Sequence, residues 1–492
     1  MPTIAMDLAP AGLIAKYEPV IGLEVHVQLG TRTKIFCGCA TSFGAPPNTN
    51  VCPVCLGLPG ALPVLNREAV ELAMKAAISL NCDLRPVSRF ARKNYFYPDS
   101  PKGYQISQYD EPLAGHGWVD IEVEGVKKRI GITRIHMEDD AGKSKHDGFR
   151  DSDRFTYVDL NRCGAPLIEI VSEPDIRSSD EAFAYLSEVK QTLQFVESST
   201  CDMEKGHLRC DANVSVRLKG AEKFGTRAEV KNLNSFRFLK QAIDYEIARQ
   251  VAILEGGGRI HQETRLFDAD AGETFGMRSK EDAHDYRYFP EPDLAPLVIG
   301  EEWLARVRAA MPELPSVRRD RFIGVYGLRE YDADVLTATR EVSDYYEEVA
   351  RVSGDPKIAA NWVMGDLAGM LKAAGKEITE SPVSATHLGQ LVGLIVKGEL
   401  TGKLAKDVLP KMFESGEAPA AIVEREGLKT VNDTGALEKL VDEVIAASPK
   451  QVEQFKAGKT TVMGYLVGQA MKASRGQANP AVLNELFNGR LK

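Results

Sequence analysis

The sequence predicts an α+β protein, and two observations along the chain predict this class. From residue 17 to 297, short alternating apolar and polar segments are separated by turns rich in Gly, Pro, Asn and Asp, which is typical of antiparallel strands with interspersed helices. From residue 301 onward, apolar residues recur at helical spacing. We therefore predict an α+β domain at 17–297 with an antiparallel sheet, an all-helical connector at 298–408 and a small helical tail at 409–492.

The net charge narrows the classes of protein to which the chain can belong. Its 492 residues carry 61 Lys and Arg against 70 Asp and Glu, a net charge of −9, which argues against a non-specific nucleic-acid binder. The last 44 residues, however, hold seven basic and two acidic side chains, so that segment alone is +5. This asymmetry is typical of a nucleic-acid contact, although charge alone fits a solvated helical face equally well.

The sequence shows no segment that targets the chain to a membrane. No run approaches the roughly 18–20 apolar residues of a membrane span. The N-terminus lacks the basic region of a secretory signal and the arginines of a transit peptide. The sequence therefore predicts a cytosolic protein.

Four of the eight cysteines form two close pairs, Cys37 with Cys39 and Cys52 with Cys55. Twelve residues separate the pairs, and they include the turn formers Gly, Pro and Asn. In a cytosolic chain this spacing indicates a tetrahedral zinc site with four thiolate ligands rather than disulfides. With every ligand supplied by the protein, the predicted zinc is structural.

Four predicted strands carry unusual polar faces. Residues two apart in a strand share a face, and these faces hold carboxylates, imidazoles and cations with few small hydroxyls. The residues concerned are Glu24, His26 and Gln28, then Arg134, His136 and Glu138, then Arg209, Asp211, Asn213, Ser215 and Arg217, and finally Arg227, Glu229 and Lys231. Any half-exposed sheet has a polar face. These residue types, however, suit Mg²⁺ and phosphoryl oxygens, so converging faces would support phosphoryl transfer.

The usual nucleotide-binding loops are missing from the sequence. It contains no G-x-x-x-x-G-K-[ST], and no G-x-G-x-x-G follows a predicted strand. If the protein uses ATP, another structure holds it.

Several long motifs occur in order along the chain. They are VIGLEVHVQL (20–29), the four cysteines followed by LGLPGALPVLN (56–66), RKNYFYPDSPKGYQISQY (92–109), RIHMEDDAGKS (134–144), LNRCGAPLIEIVSEPD (160–175), RCDANVSV (209–216), EVKNLNSF (229–236), YRYFPEPDL (286–294) and MGYLVGQAMKASRGQANP (463–480). From residue 17 to the end, the sequence resembles the B-subunit family of the aspartyl/glutamyl-tRNA(Asn/Gln) amidotransferases, in its bacterial form. Residues 1–16 form an N-terminal extension to the resemblance, and we expect them to be disordered.

The resemblance implies a fold, partners and an activity. The large domain would be a glutamine-synthetase-like cradle, and the tail would touch tRNA. The partners would be an amidase-type A subunit, which frees ammonia from glutamine, and a small C subunit. With ATP and Mg²⁺, the B subunit would phosphorylate the side-chain carboxylate of misacylated Glu-tRNA(Gln) or Asp-tRNA(Asn), and ammonia would then displace the phosphate.

The resemblance also implies roles for individual residues. The candidates for the magnesium cluster are Glu24, His26, Glu138 and Glu229. Those for ATP contacts are Arg209, Asp211, Arg227 and Lys231. Lys93, grouped with the catalytic residues, matches a position that the family associates with the ammonia path. The tRNA candidates are Lys459, Lys472 and Arg475.

Two alternatives remain open at this stage. One is a catalytically silent tRNA-binding scaffold with the same fold, which differs from the catalytic prediction by lacking a joint site of Glu24, His26, Glu138 and Glu229. The other is a free-standing carboxylate–amine ligase that acts on a small molecule. This alternative does not explain why the C-terminal tail is basic.

Overall fold

The structure is a computed structural model, and it describes residues 8–277, 286–428, 434–457, 459–474 and 476–491. Contacts divide the chain into two compact units, Met1–Leu314 and Pro315–Lys492. None of the helices in the described ranges combines the length and the apolar character that crossing a membrane requires.

All sixteen strands of the described residues lie in the first unit. They are β1 (Tyr17–Gln28), β2 (Asp83–Leu84), β3 (Val87–Ser88), β4 (Ala91–Asn94), β5 (Tyr104–Ser107), β6 (Ala114–Val123), β7 (Val126–Asp139), β8 (Lys143–Lys145), β9 (Tyr157–Asp159), β10 (Pro166–Ser172), β11 (Leu208–Leu218), β12 (Ala228–Lys231), β13 (Glu263–Asp268), β14 (Glu273–Gly276), β15 (Phe289–Pro290) and β16 (Leu297–Val298). Its helices are α1 (Ala11–Ile14), α2 (Arg67–Ser79), α3 (Ser179–Phe195), α4 (Phe236–Glu255) and α5 (Glu301–Ala309).

One large sheet organises this unit. Within the described residues it has nine strands in the order β14-β13-β12-β11-β1-β10-β7-β6-β2. The β12–β13 pair is parallel and the other neighbours are antiparallel. This sheet with its helices confirms the predicted α+β class.

Helices α3 and α4 cover the apolar face of the sheet. Val25, Ile170 and Val214 on the strands and Leu186 and Ile243 on the helices are fully buried in one apolar core. Because side chains alternate along a strand, burying this face leaves the polar residues of the same strands on the opposite side.

A smaller sheet of β15, β4 and β5 lies beside the end of β7. The carboxylate of Asp139 accepts a hydrogen bond from the backbone N–H of Ile106 at 2.7 Å, and its carbonyl accepts one from the Gln105 side chain at 2.8 Å. The same carboxylate forms a buried ion pair with Lys102. These contacts fix β5 next to the carboxyl end of β7.

The expectation of disorder at the N-terminus is wrong for residues 8–16. Ala9 is buried and its backbone N–H donates to the carbonyl of Ala248 at 3.4 Å. Leu13 and Ile14 in α1 pack against the same apolar core. Apolar side chains in this short segment therefore anchor it to α4. Residues 1–7 lie outside the described part of the chain.

The described residues of the second unit form helices. They are α6 (Pro315–Gly324), α7 (Glu330–Leu336), α8 (Arg340–Ser353), α9 (Pro356–Asn361), α10 (Ala368–Ala373), α11 (Ala385–Val396), α12 (Gly402–Ser415), α13 (Pro419–Glu426), α14 (Thr434–Ala447), α15 (Pro449–Lys456), α16 (Met463–Ala473) and α17 (Pro480–Leu491), with a π-helical turn at Trp362–Leu367 and 3₁₀ turns at Ile378–Glu380 and Thr460–Val462.

Two apolar clusters lie in the second unit, one with members from Phe322 to Val423 and one with members from Leu437 to Leu491. Helix α5, which the sequence assigned to the connector, packs on the first unit through Val307. The predicted domain boundaries at 297/298 and 408/409 stay predictions.

Candidate active site

Strand register brings the polar faces of four strands together. His26 on β1 is paired with Arg209 on β11 and with Glu169 on β10, and Glu169 is paired in turn with His136 on β7. Directly paired residues of antiparallel strands point to the same side of the sheet. The polar faces predicted for β1, β7 and β11 therefore converge, with β10, which was not among the predicted strands, between β1 and β7. The fourth predicted strand, β12, joins this face through the pairing of Glu229 with Asn213.

Two carboxylates and two imidazoles form a compact cluster on this face. His26 Nε2 lies 3.2 Å from a carboxylate oxygen of Glu169 and 3.7 Å from one of Glu138. His136 Nε2 lies 3.5 Å and 3.6 Å from the same two side chains. Glu138 is 2% exposed and Glu169 is 7% exposed. We call His26, His136, Glu138 and Glu169 the histidine–glutamate cluster.

Electrostatics keeps the two buried carboxylates ionised. Burial raises the pKa of Glu169, but the hydrogen bond from His26 and the charge of His136 outweigh burial and hold this pKa well below its usual value. For Glu138, burial is likewise outweighed by the hydrogen bond from His136 and by the charge of His26, so its pKa is also lowered. Burial lowers the pKa of His26, but Glu169 and Glu138 together raise it above its usual value.

This donor set fits a hard divalent cation. One ligand atom from each of His26, Glu138 and Glu169 lies within 4.8 Å of the others. Ionised carboxylate oxygens with an imidazole nitrogen are ligands that Mg²⁺ or Mn²⁺ accepts. Of the four residues predicted for magnesium, the structure brings His26 and Glu138 together and adds Glu169.

Glu24 and Glu229 belong to a neighbouring group on the same face. The side chain of Asn213 donates to Glu24 at 2.9 Å, and the Thr264 hydroxyl donates to Glu229 at 2.7 Å. Burial, then the charges of Glu169, Glu229 and other nearby carboxylates, raise the pKa of Glu24. Along β1 and β11, Glu24 is paired with Asp211. The assignment of Glu24 and Glu229 as metal ligands stays a prediction.

Cations line the β11 and β12 side of the polar face. Lys231 Nζ lies 2.9 Å from a carboxylate oxygen of Asp211 and 2.9 Å from one of Glu229, and these two charges raise the pKa of Lys231 despite its burial. Arg209 pairs with Asp140 at 2.8 Å. Arg227 is exposed, and its charge contributes to lowering the pKa of Glu229. Asp211, Arg227 and Lys231 are thus on the β11 and β12 side of the histidine–glutamate cluster, whereas the side chain of Arg209 reaches Asp140 at the end of β7.

Lys93 faces the cluster from β4. Its ammonium lies over the ring of Tyr286, 4.9 Å from the ring centroid. Burial lowers the pKa of Lys93, but Glu138, Tyr288 and Glu169 raise it above the usual lysine value. Lys93 is paired with Gln105 of β5, whose side chain donates to the carbonyl of Asp139 at the end of β7, so Lys93 lies near the β7 side of the cluster.

The four paired cysteines converge at a second site. One Sγ atom from each of Cys37, Cys39, Cys52 and Cys55 lies within 4.8 Å of the others. The backbone N–H of Cys52 donates to Cys55 Sγ at 3.1 Å. A hydrogen bond from Cys37 is the main cause that lowers the pKa of Cys55 to about 4. Four sulfur donors, one of them held as a thiolate, fit a tetrahedral zinc ion with no open position.

The structure describes two of the three residues predicted to contact tRNA. Lys459 and Lys472 are exposed, as a phosphate contact requires. Arg475 lies outside the described residues.

Sequence reasoning missed Glu169 and did not select His136. Glu169 is the one charged residue in the otherwise apolar strand β10, PLIEIVS. A lone carboxylate inside a buried strand is a signal, because an unpaired buried charge is too costly to persist. His136 was recognised on the polar face of its strand, but its role depends on the neighbouring strand β10.

Comparison with known proteins identifies the family. A family model described as the GatB/GatE catalytic domain matches residues 19–305, and one described as the GatB domain matches residues 344–491. The chain belongs to the GatB family. The family expected from the motifs is confirmed, and the description of the domain as catalytic agrees with the catalytic prediction rather than with a silent scaffold.

Relatives of this GatB chain are similar over nearly their whole length. The B subunit of the aspartyl/glutamyl-tRNA(Asn/Gln) amidotransferase from Carboxydothermus hydrogenoformans is 57% identical over 476 residues, which cover 97% of this chain and 99% of the relative. The protein of the same name from Geobacter sulfurreducens is also 57% identical with the same coverage. That from Persephonella marina is 54% identical over 97% of this chain and 100% of the relative.

Proposed function

We propose that this chain is the amidotransferase subunit that activates the side-chain carboxylate of misacylated Glu-tRNA(Gln) or Asp-tRNA(Asn) with ATP and converts it to the amide. It would act in the cytosol with an amidase-type A subunit and a small C subunit. The observation that carries the proposal is the histidine–glutamate cluster with cations beside it, in a chain of the GatB family.

The reaction has two steps. A carboxylate oxygen of the aminoacyl group attacks the terminal phosphorus of ATP, so that an O–P bond forms and the P–O bond to ADP breaks. Ammonia from the A subunit then attacks the acyl carbon, the C–O bond to phosphate breaks, and the amide forms with loss of a proton. Since carboxylate and triphosphate are both anionic, the site must position them and offset their repulsion.

The two sides of the polar face divide this work. Lys231, Arg209 and Arg227 would contact the triphosphate, and Asp211 would orient Lys231 through their ion pair. His26, Glu138 and Glu169 would hold a divalent cation, with Glu24 and Glu229 as further candidate ligands. Bound Mg²⁺ would supply charge screening between the approaching oxygens. Lys93, charged and adjacent to the cluster, is assigned to the path of ammonia by its family position.

A structural zinc ion would be held by Cys37, Cys39, Cys52 and Cys55. The site has four protein ligands, so no position remains for a substrate or an activated water. Its contribution would be to fold the loop that precedes α2, and it would take no part in the chemistry.

Glu138→Gln tests the proposed activity. The A and C subunits are co-expressed with the variant, and ADP formation and amide product are followed with each misacylated tRNA. We expect ADP formation and amide product both to be lost, because the neutral amide removes one of the two negative charges of the cluster. Glu122→Gln, an exposed carboxylate on β6, is the matched control. Amidation by Glu138→Gln at the control rate would refute the catalytic assignment.

The tail is tested by charge reversal. The double variant Lys459→Glu, Lys472→Glu should bind misacylated tRNA more weakly and with a shallower salt dependence, because each lost phosphate contact removes about one unit of slope. Lys376→Glu, at another exposed lysine, is the control. An unchanged slope in the double variant would exclude both lysines from the phosphate contacts.

A further inference from the structure

A pair of stacked tyrosines lies next to the histidine–glutamate cluster, and the proposed chemistry assigns no role to it. The rings of Tyr109 and Tyr288 are parallel within 9°, with their centroids 4.2 Å apart. Tyr286 contacts Tyr288 edge to face at 6.2 Å and lies under the Lys93 ammonium. The outer ring of this stack is Tyr109, which is 56% exposed.

The stack is rigidly fixed to the strand that carries Glu138. Gln108, immediately before Tyr109, is buried, and its side-chain oxygen accepts hydrogen bonds from the backbone N–H groups of Met137 and Leu113, each at 3.0 Å. One residue earlier, the Ser107 hydroxyl donates to the carboxylate of Glu138 at 3.3 Å. The backbone of Tyr109 is therefore held beside the cluster by side chains that solvent does not reach.

Tyr288 is the inner ring of the stack, between Tyr109 and Tyr286. Burial is the main cause that raises its pKa; the charge of Lys93 opposes this, and Glu138 and Glu169 add to it. The contacts thus run from Lys93 through Tyr286 and Tyr288 to the exposed ring of Tyr109. An exposed aromatic ring whose backbone is held in place can stack on a nucleobase, because every base presents a π face of similar size.

Both substrates of the proposed reaction contain an adenine, and the geometry of transfer selects one of them. In-line phosphoryl transfer requires the attacking oxygen to approach opposite the leaving group. Lys231, a cation that suits a triphosphate, is bonded to Asp211 and Glu229 on the β11 and β12 side of the cluster, whereas the tyrosine stack adjoins β7 on the other side. The stack is therefore on the side from which the carboxylate must arrive.

We propose that the exposed face of Tyr109 stacks on the terminal adenine of the misacylated tRNA and so sets the distance of its amino acid from the histidine–glutamate cluster. The amino acid is esterified to the ribose of that adenosine, so only the ribose and a short side chain separate the stacked base from the reacting carboxylate. This inference rests on the proposed function and adds a binding residue to it.

The kinetic test uses the co-expressed trimer. Tyr109→Ala should raise KM for misacylated tRNA by about 5- to 160-fold, the range for losing one base–aromatic stack, and leave KM for ATP unchanged. Tyr109→Phe keeps the ring and should behave like the wild type. Phe275→Ala removes a similarly exposed ring from β14, at the opposite edge of the sheet, and should change neither constant.

A direct probe is a misacylated tRNA with 2-aminopurine in place of its terminal adenine. Its fluorescence should be quenched on binding to the wild type and to Tyr109→Phe, and should recover in Tyr109→Ala. A rise in KM for ATP with KM for tRNA unchanged would assign the stack to the other adenine and overturn the inference. Unchanged constants and unchanged quenching in Tyr109→Ala would also overturn it.

These outcomes are separate from failure of the proposed function. If the wild-type trimer makes no amide, the proposed function fails. If the wild-type trimer is active while Tyr109→Ala matches it in KM and in quenching, only the role of Tyr109 fails.

Discussion

Replacing Glu169 by glutamine is the sharpest test of the cluster, because this residue was found only through the strand pairing. The substitution keeps the size and hydrogen-bonding shape of the side chain and removes one negative charge. That charge lies 3.2 Å from His26 Nε2 and 3.5 Å from His136 Nε2. The variant therefore isolates electrostatics from packing.

The expected effect is large. Two unit charges 3.2 Å apart interact by about 5 kcal/mol at an effective dielectric constant of ~20, and relief of the repulsion between Glu169 and Glu138 returns part of this energy. As a measure of scale, removing one preorganised hydrogen-bond donor of an oxyanion hole costs about 2.7–4 kcal/mol, or roughly 10²–10³-fold in rate. We therefore expect ADP formation to fall by that factor and the Mg²⁺ concentration for half-maximal rate to rise at least about tenfold.

The assay follows ADP release by the trimer with misacylated tRNA and ammonium chloride, over a series of Mg²⁺ concentrations. Supplying ammonia directly removes any dependence on the glutaminase. Glu173→Gln, at an exposed carboxylate four residues along the chain, is the control and should retain the wild-type rate. If Glu169→Gln keeps a rate within about threefold of the control at every Mg²⁺ concentration, the reasoning from the cluster is wrong.

Three further predictions concern the supporting parts of the molecule. Lys231→Gln should raise KM for ATP by about tenfold in steady-state kinetics, because it removes a cation from the triphosphate side; a change confined to KM for tRNA would contradict this role. Cys52→Ser should reduce zinc in the purified protein from about one ion per chain to well below that, as measured by elemental analysis. Cys82→Ser, at a cysteine outside the four-cysteine site, should keep its zinc. Ser235→Ala removes the hydroxyl that accepts the N–H of Phe238 at the start of α4, so the free energy of unfolding should fall by about 1 kcal/mol in urea titrations; a Ser235→Thr variant that is equally unstable would point to another cause.

The strands and the zinc ligands were predicted from patterns within short segments of the sequence. The period of two in residues 20–29 placed Glu24 and His26 on one face of β1, because alternation along a strand needs no knowledge of its neighbours. The cysteine spacing was equally informative, since two short pairs with a turn-forming loop between them can reach a single ion without the rest of the chain.

Strand order and register could not be predicted in the same way. Nothing within residues 166–172 indicates that β10 lies between β1 and β7, so the partner of His26 is a residue 143 positions away in the chain. The same long-range pairing placed Glu24 and Glu229 with Asp211 and Lys231, one group away from the histidine–glutamate cluster. The order of the N-terminal segment also depended on distant contacts, because Ala9 is held by the carbonyl of Ala248.

The sequence by itself therefore determined the fold class, the family and the residue types on each polar face. These follow from periodicity and from motifs that are contiguous in the chain. Only the tertiary structure decided which carboxylates share a site and that a tyrosine stack lies beside them. Both depend on which strands are adjacent and in what register, because a shift of one residue in the register of one strand would turn the side chains of that strand to the opposite face of the sheet.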